Sequence, residues 1–415
     1  MVLEDKLIMN SKLPIIEKLE WGKFVSPVSD RNIPPYNWYS FKHRFGSELA
    51  FNIFTMFGLK KGSFVLDPFC GGGTTLIKAK LDGYHSVGID ISPFSVFLSK
   101  VLTTGYEPHK LKQDVKKISH DLKDNVEIPD VAILKKSFSD LTLKYIYSLR
   151  DSINALNSPG RDFFMLPLLS ILDRISKAKK SGGFLRITEQ RKSSVIATKK
   201  VFEAEALRFI NDLFLFKYTK ASSDVILGDS RNYPQEVKSR QYDAILTSPP
   251  YPNRHDYTRI YELELLVGFI CSNQSLKLLR YDTLRSHVEA RKKYEVDGCY
   301  TIPSLLEAQM NKLRDRNLNN SRIIPTLYGY FEDMYLSLKE MSKVIKKKGH
   351  IGLVVSNVRF AGINIPVDEI LGEIGEREGL KIRGIYTLRY RGNSSQQMSL
   401  YKREPTRESL LVWEK

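Results

Sequence analysis

The chain has 415 residues, 42% of them hydrophobic, enough for one elaborated domain or two around a packed core. No run approaches about 18 uncharged apolar residues, and acidic and basic residues interleave near the start where a secretory signal needs an apolar centre, so membrane and secreted proteins are disfavoured and a cytoplasmic one is expected. The 64 Lys and Arg outnumber 47 Asp and Glu for a net charge of +17, which favours a polyanionic partner, nucleic acid first.

In chain order, SFVLDPF (63–69) is the first buried-strand pattern. It opens into a glycine turn, DPFCGGGTT (67–75), and a helix, TTLIKAKLDG, that Gly83 caps. Glycines directly after a first strand let a small ligand approach the backbone, because no Cβ intervenes, and the free N–H groups of the next helix face the same crevice. The turn lacks both GxGxxG and GK[ST], so a pyrophosphate ligand is disfavoured. HSVGIDIS (85–92) is the second strand, and its tip carries Asp90, a carboxylate able to accept from both hydroxyls of a ribose. Residues 101–222 lack strand signals; LTLKYIYSLRDSINALN, FFMLPLLSILDRISKAKK and VFEAEALRFINDLFLFKY show helical spacing and read as a helical insertion.

DVILGD (224–229) and YDAILTS (242–248) resume the strand series, the latter running into TSPPYPNRHDY (247–257). Residues 258–325 form a second insertion, an apolar helix RIYELELLVGFI followed by a basic polar run. GHIGLVVS (349–356), LKIRGIYTLRY (380–390) and ESLLVWEK (408–415) complete the set. Strands alternating with amphipathic helices predict an α/β fold, a doubly wound seven-stranded Rossmann-like sheet with helical insertions. Cys70, Cys271 and Cys299 have no paired spacing, so neither a disulfide framework nor a metal site is expected.

The succession VLDPFCGGGTT, VGIDIS, ILGDS, TSPPY resembles motifs I to IV of the S-adenosylmethionine-dependent DNA amino methyltransferases, which methylate exocyclic amines of cytosine or adenine. FKHRFGSELAFNIFTMFGLKKG is similar to the family's motif X, and LRYRGNSSQQM is placed like its motif VIII loop. The resemblance covers 36–100 and 223–257 well, 326–415 moderately, and neither insertion. It implies a layout of motif X and the cofactor half (1–100), a helical insertion (101–222), motifs III and IV (223–257), a basic insertion (258–325) and the C-terminal strands (326–415). The motif order is similar to the alpha arrangement, which assigns target recognition to 101–222, with the more basic second insertion an equal contender. S-adenosylmethionine is the implied cofactor: Phe69, Gly71 and Gly73 around its methionine part, Asp67 near its amino group, Asp90 on the ribose hydroxyls, Asp229 accepting from the adenine amine, and Phe45 and Ser47 closing the site. Gly72, where the family often has serine, is expected to have little consequence.

An exocyclic amine is a poor nucleophile because its lone pair is delocalised into the base, so it must be held in line with the methyl donor while its N–H groups are accepted. Ser248 Oγ and the Pro249 carbonyl are suitable acceptors. Pro249 and Pro250 fix φ and remove backbone donors, and Tyr251 offers a flat face for the base. A base inside a duplex cannot reach such a corner and must be flipped out, at a cost of about a few kcal/mol. Serine at 248 resembles the SPPY form of cytosine-N4 enzymes, so cytosine N4 is favoured over adenine N6. No PCQ sequence is present and Cys70 lies in the cofactor loop, which disfavours a covalent cysteine route to C5. Arg254 is a candidate for a phosphate, and Arg391, Asn393, Gln396 and Gln397 for DNA around the flipped base. Asp256 reads as a helix cap and His255 as structural.

The expected function is sequence-specific methylation of double-stranded DNA, as the modification half of a restriction system with a cognate endonuclease acting on the same site. The alternatives are an adenine-N6 enzyme, an RNA guanine-N2 methyltransferase, and a catalytically silent binding module.

Overall fold

The computed structural model describes residues 7–8, 13–189, 193–253, 255–296, 298–392, 401 and 404–415. Its strands are β1 (Leu7–Ile8), β2 (Ile15–Glu17), β3 (Phe64–Asp67), β4 (His85–Asp90), β5 (Ala178–Ser181), β6 (Phe184–Ile187), β7 (Ser223–Leu227), β8 (Tyr242–Thr247), β9 (Ile345–Ser356), β10 (Val358–Phe360), β11 (Ile363–Ile365), β12 (Lys381–Arg391) and β13 (Thr406–Glu414). The main sheet runs β1-β2-β12-β13-β9-β8-β3-β4-β7. From β9 to β7 its strands are parallel, and β13 is antiparallel to both β9 and β12.

All seven expected strands are present, but the sheet has nine: β1 and β2 extend the edge, with Ile15–Glu17 parallel to Ile385–Thr387. A strand of two or three residues is too short to show alternation. Residues 101–222 also depart from expectation, because β5 and β6 form an antiparallel hairpin there. Its four-residue strands sit in a basic setting, and the Gly182–Gly183 pair between them was the unused signal.

Alternation along the sheet splits its side chains between two helical layers. Val65, Ala244, Leu246, Val354, Leu410 and Val412 pack with the helix Ser47–Met56. Their neighbours Leu66, Ile245, Leu353, Leu411 and Trp413 face the opposite layer, which includes the helices Ile323–Val344 and Val367–Arg377. Burial on both faces explains why these strands read as continuous apolar runs.

The first insertion is not a separate body. Trp38, from before the motif X helix, shares one core with Phe163 and Phe209 of the insertion, Phe94 and Leu98 of the sheet-covering helix Pro93–Thr103, and Leu263 and Leu266 of the helix Glu262–Gly268. Trp38 stacks on Phe209 at 4.8 Å between ring centroids, and its indole nitrogen donates to Asp212 at 3.0 Å. Among the described residues, no helix is long and apolar enough to cross a membrane.

Candidate active site

The chain leaves β3 toward β4 and β7 on one side of the sheet, then returns to β8 on the other. The carboxyl ends of β3 and β8 therefore diverge into a crevice, the place where doubly wound sheets bind ligands. Thr247 spans its floor by donating to Asp67 Oδ1 at 2.6 Å. The cleft above holds about 1110 Å³ of space, counted out to solvent, and both Asp67 and Asp90 line it together with Phe69, Gly71, Ser248 and Pro250.

Its first half is built by the glycine turn. Gly71 and Gly73 take φ of 45° and 76°, left-handed values that favour glycine. This geometry aims the Gly71 N–H at Asp90 Oδ2, 2.9 Å away, while Ser92 N–H donates to Oδ1 at 2.8 Å. Burial pushes both Asp67 and Asp90 up to about 6, against backbone and hydroxyl donors that work to keep them ionised. Two acids facing one cleft, Asp67 buried and Asp90 half-buried, suit a cationic ligand. Cys70 also lines the cleft, but burial raises its thiol well above the usual range, so it is a poor nucleophile.

The second half is the β8 corner. Ser248 Oγ donates to the Val354 carbonyl at 3.0 Å and lies 3.4 Å from the Tyr251 hydroxyl. Tyr251 in turn donates to buried Glu408 at 3.1 Å, and Glu408 is held by Arg389 at 2.8 Å and Arg391 at 3.5 Å. Pro249 is buried beneath the corner. Farther out, His43 packs tilted against His255, with ring centroids 4.5 Å apart and planes 40° apart. Burial lowers both, His43 to about 4, assisted by neighbouring cationic charge from Arg391.

Several expected residues stand elsewhere or are otherwise engaged. Ser47 does not line the cleft: its N–H and Oγ bind buried Asp30, which also pairs with Arg44, so it fixes the start of the motif X helix. Phe45 does reach the cleft. Gly73 is the N-terminal cap of the helix Thr74–Asp82 and faces Ser99, where a Cβ would come within 2.9 Å of the hydroxyl. Gly72 takes its place in the lining, and a Cβ there would lie 2.9 Å from that of Phe41. Tyr251 is not among the lining residues; its ring packs toward the sheet's second layer because Glu408 captures the hydroxyl.

Asp229 lines the cleft, yet its carboxylate already accepts from Arg231 at 2.7 and 2.9 Å and from Tyr294 at 2.8 Å. Burial pushes this carboxyl up, but Arg231 overrides it and holds the group below the usual range. Asp256 caps the helix Tyr257–Ile260 as expected, accepting from Thr258 N–H at 2.9 Å. Arg391 is not among the lining residues; it lies 3.5 Å from Glu408 and acts electrostatically on His43 and His255, whereas Arg254, Asn393, Gln396 and Gln397 lie outside the described residues. The aromatic wall of Phe41, Tyr257 and Tyr261 was missed: Phe41 stacks on Tyr261 at 4.7 Å and on Tyr257 at 6.4 Å. No spacing in the sequence links residue 41 to 257 and 261.

Residues 30–100 match a family model for N6/N4 enzymes described as DNA methylase. The chain is 30% identical to the type II methyltransferase M.BsoBI of Geobacillus stearothermophilus, with 100% of this chain and 92% of that protein covered. Identity to the type II methyltransferase M.AvaI of Nostoc sp. is 28%, covering 95% and 89% respectively. For the type II methyltransferase M.MvaI of Kocuria varians it is 22%, covering 74% and 73%.

Proposed function

This chain belongs to the N4/N6 amino family of type II DNA methyltransferases, whose cofactor is S-adenosylmethionine, and from that premise we propose that it methylates N4 of cytosine in a base flipped out of duplex DNA. When bound, the cofactor supplies an electrophilic methyl group on a cationic sulfur. Asp67 and Asp90 are the acids that hold its amino group and ribose hydroxyls, with Phe69, Gly71 and Phe45 enclosing it. Asp229 reaches the adenine amine only by sharing a carboxylate that Arg231 and Tyr294 already bind.

The observation that carries this reading is the state of Ser248. Its single proton goes to the Val354 carbonyl at 3.0 Å, so its lone pairs are left to accept from an amine N–H in the same cleft as the two acids. The Pro249 carbonyl is the second acceptor, held by a backbone whose φ is fixed. Tyr251 positions Ser248 through Glu408 rather than stacking on the base, and the base stacks instead in the part of the cleft walled by aromatic rings. Arg391, close to Glu408 and His43, contacts a phosphate beside the flipped nucleotide. Transfer is direct, without a covalent enzyme intermediate. The biological setting is a restriction system whose endonuclease reads the same sequence.

The test is incubation with methyl-labelled cofactor and either phage lambda DNA or total bacterial RNA, followed by digestion to nucleosides. Label in N4-methyldeoxycytidine is the expected result. Label only in N6-methyldeoxyadenosine would move the target to adenine, and label only in RNA would overturn the DNA assignment.

A further inference from the structure

The β5–β6 hairpin projects from the first insertion to the edge of the catalytic corner. Gly183 and Phe184 at its turn line a groove with Asn253, His255 and Arg259, and on its far wall with His287 of the second insertion. His287 also lines the main cleft, so the groove and the cleft adjoin. The hairpin is thus the place where both insertions meet the loop that follows Ser248.

An isolated two-stranded hairpin is marginal in water, so something must hold this one. Its inward face does so through Lys180, whose ammonium is 5% exposed and binds Glu264 at 2.6 Å, Asp173 at 3.1 Å and the Tyr39 hydroxyl at 2.7 Å. Burial opposes the Lys180 charge, but the Glu264 and Asp173 carboxylates more than offset it and hold its pKa above the usual value. Leu185, its cross-strand partner, packs on the insertion core. Alternation then turns Phe184 and Arg186 to the other face, where Phe184 is 52% exposed and Arg186 is also exposed. A large apolar ring beside an arginine, held out on a rigid stalk next to a base-accepting corner, is the chemistry of a side chain that enters a base stack.

We propose that this hairpin is the element that opens the duplex: Phe184 enters the stack vacated by the flipped nucleotide, and Arg186 holds a flanking phosphate. This rests on the reading that the chain extrudes its target base. The phosphate contact follows from charge complementarity with DNA, and the apolar tip accounts for a large ring that the described chain leaves 52% exposed.

The experiment first maps the methylated position on phage lambda DNA. Phe184→Ala is then assayed on two synthetic duplexes carrying that site, one fully paired and one with the target base facing an abasic position, where little stacking needs replacing. On the paired duplex kcat/KM falls by about 30-fold, and on the abasic duplex it stays within about threefold of the native protein. Phe184→Trp retains activity on both. Because Phe184 is exposed, cofactor affinity of the alanine variant matches the native value, which separates this outcome from misfolding. Arg186→Ala weakens binding to both duplexes and lowers the salt slope by about one. Equal losses on the two duplexes, or no loss on the paired one, would overturn the hairpin's role while leaving the methyltransferase reading intact. A native protein that labels neither duplex nor lambda DNA would overturn the underlying reading and this one with it.

Discussion

Asp67 and Asp90 are poised so that the cleft itself titrates. Each has a pKa of about 6 in the free protein because burial penalises its charge. A cationic cofactor prefers the ionised forms, so its affinity rises with pH through about 6 and levels off above about 7; isothermal titration should show binding about tenfold weaker at pH 5 than at pH 7.5. Asp90→Asn binds more weakly at neutral pH and has a flatter profile, and an unchanged profile would remove Asp90 from the site. The sign reverses for stability without cofactor. Carboxyls raised on folding contribute stability that is present below their unfolded pKa near 4 and lost as pH rises through about 6, so the chain's stability relative to Asp90→Asn falls over that window. At Gly72, serine brings a Cβ to 2.9 Å from that of Phe41, so the glycine turn beside Gly71 must shift; Gly72→Ser should weaken cofactor binding several-fold in the same titration. Motif spacing made Asp67, Asp90 and Ser248 legible as neighbours. It did not reveal that Tyr251 turns away, because the Glu408 that captures it lies on a strand far along the chain.

The buried strands were readable because both faces are covered, which makes runs such as GLVVS apolar without interruption. The β5–β6 hairpin was not, since one face is basic and exposed and its inward face carries a lysine. That lysine is the hairpin's anchor. Lys180→Met leaves Glu264 and Asp173 without their cation, and removing one partner of a buried pair costs about 3–5 kcal/mol. Urea denaturation should show that loss, and hydrogen exchange should show the hairpin amides deprotected ahead of the main sheet. A variant as stable as the native chain would mean that Leu185 and its neighbours suffice to hold the hairpin. The two edge strands, of two and three residues, are too short to carry an alternation at all.

Across the whole molecule, helices added between strands have grown into the sheet's own covering layer rather than forming a detachable module, so the division at residues 101–222 marks an insertion in sequence more than a boundary in space. The net charge of +17 predicts DNA affinity that falls steeply with salt, with a log–log slope of about −0.9 for each phosphate neutralised. On the proposed reading, what sets this architecture to work is the convergence of two sites at the divergence of β3 and β8, one for the methyl donor and one for the receiving amine. The most direct measurement is the single-turnover methylation rate of Ser248→Ala at saturating cofactor and DNA, taken alongside its cofactor affinity. We predict a rate about 100-fold lower with affinity unchanged, the loss expected when one positioned hydrogen-bonding group is removed from a reacting centre. An unchanged rate, or a loss wholly explained by weaker cofactor binding, would contradict the assignment of Ser248 to the amine.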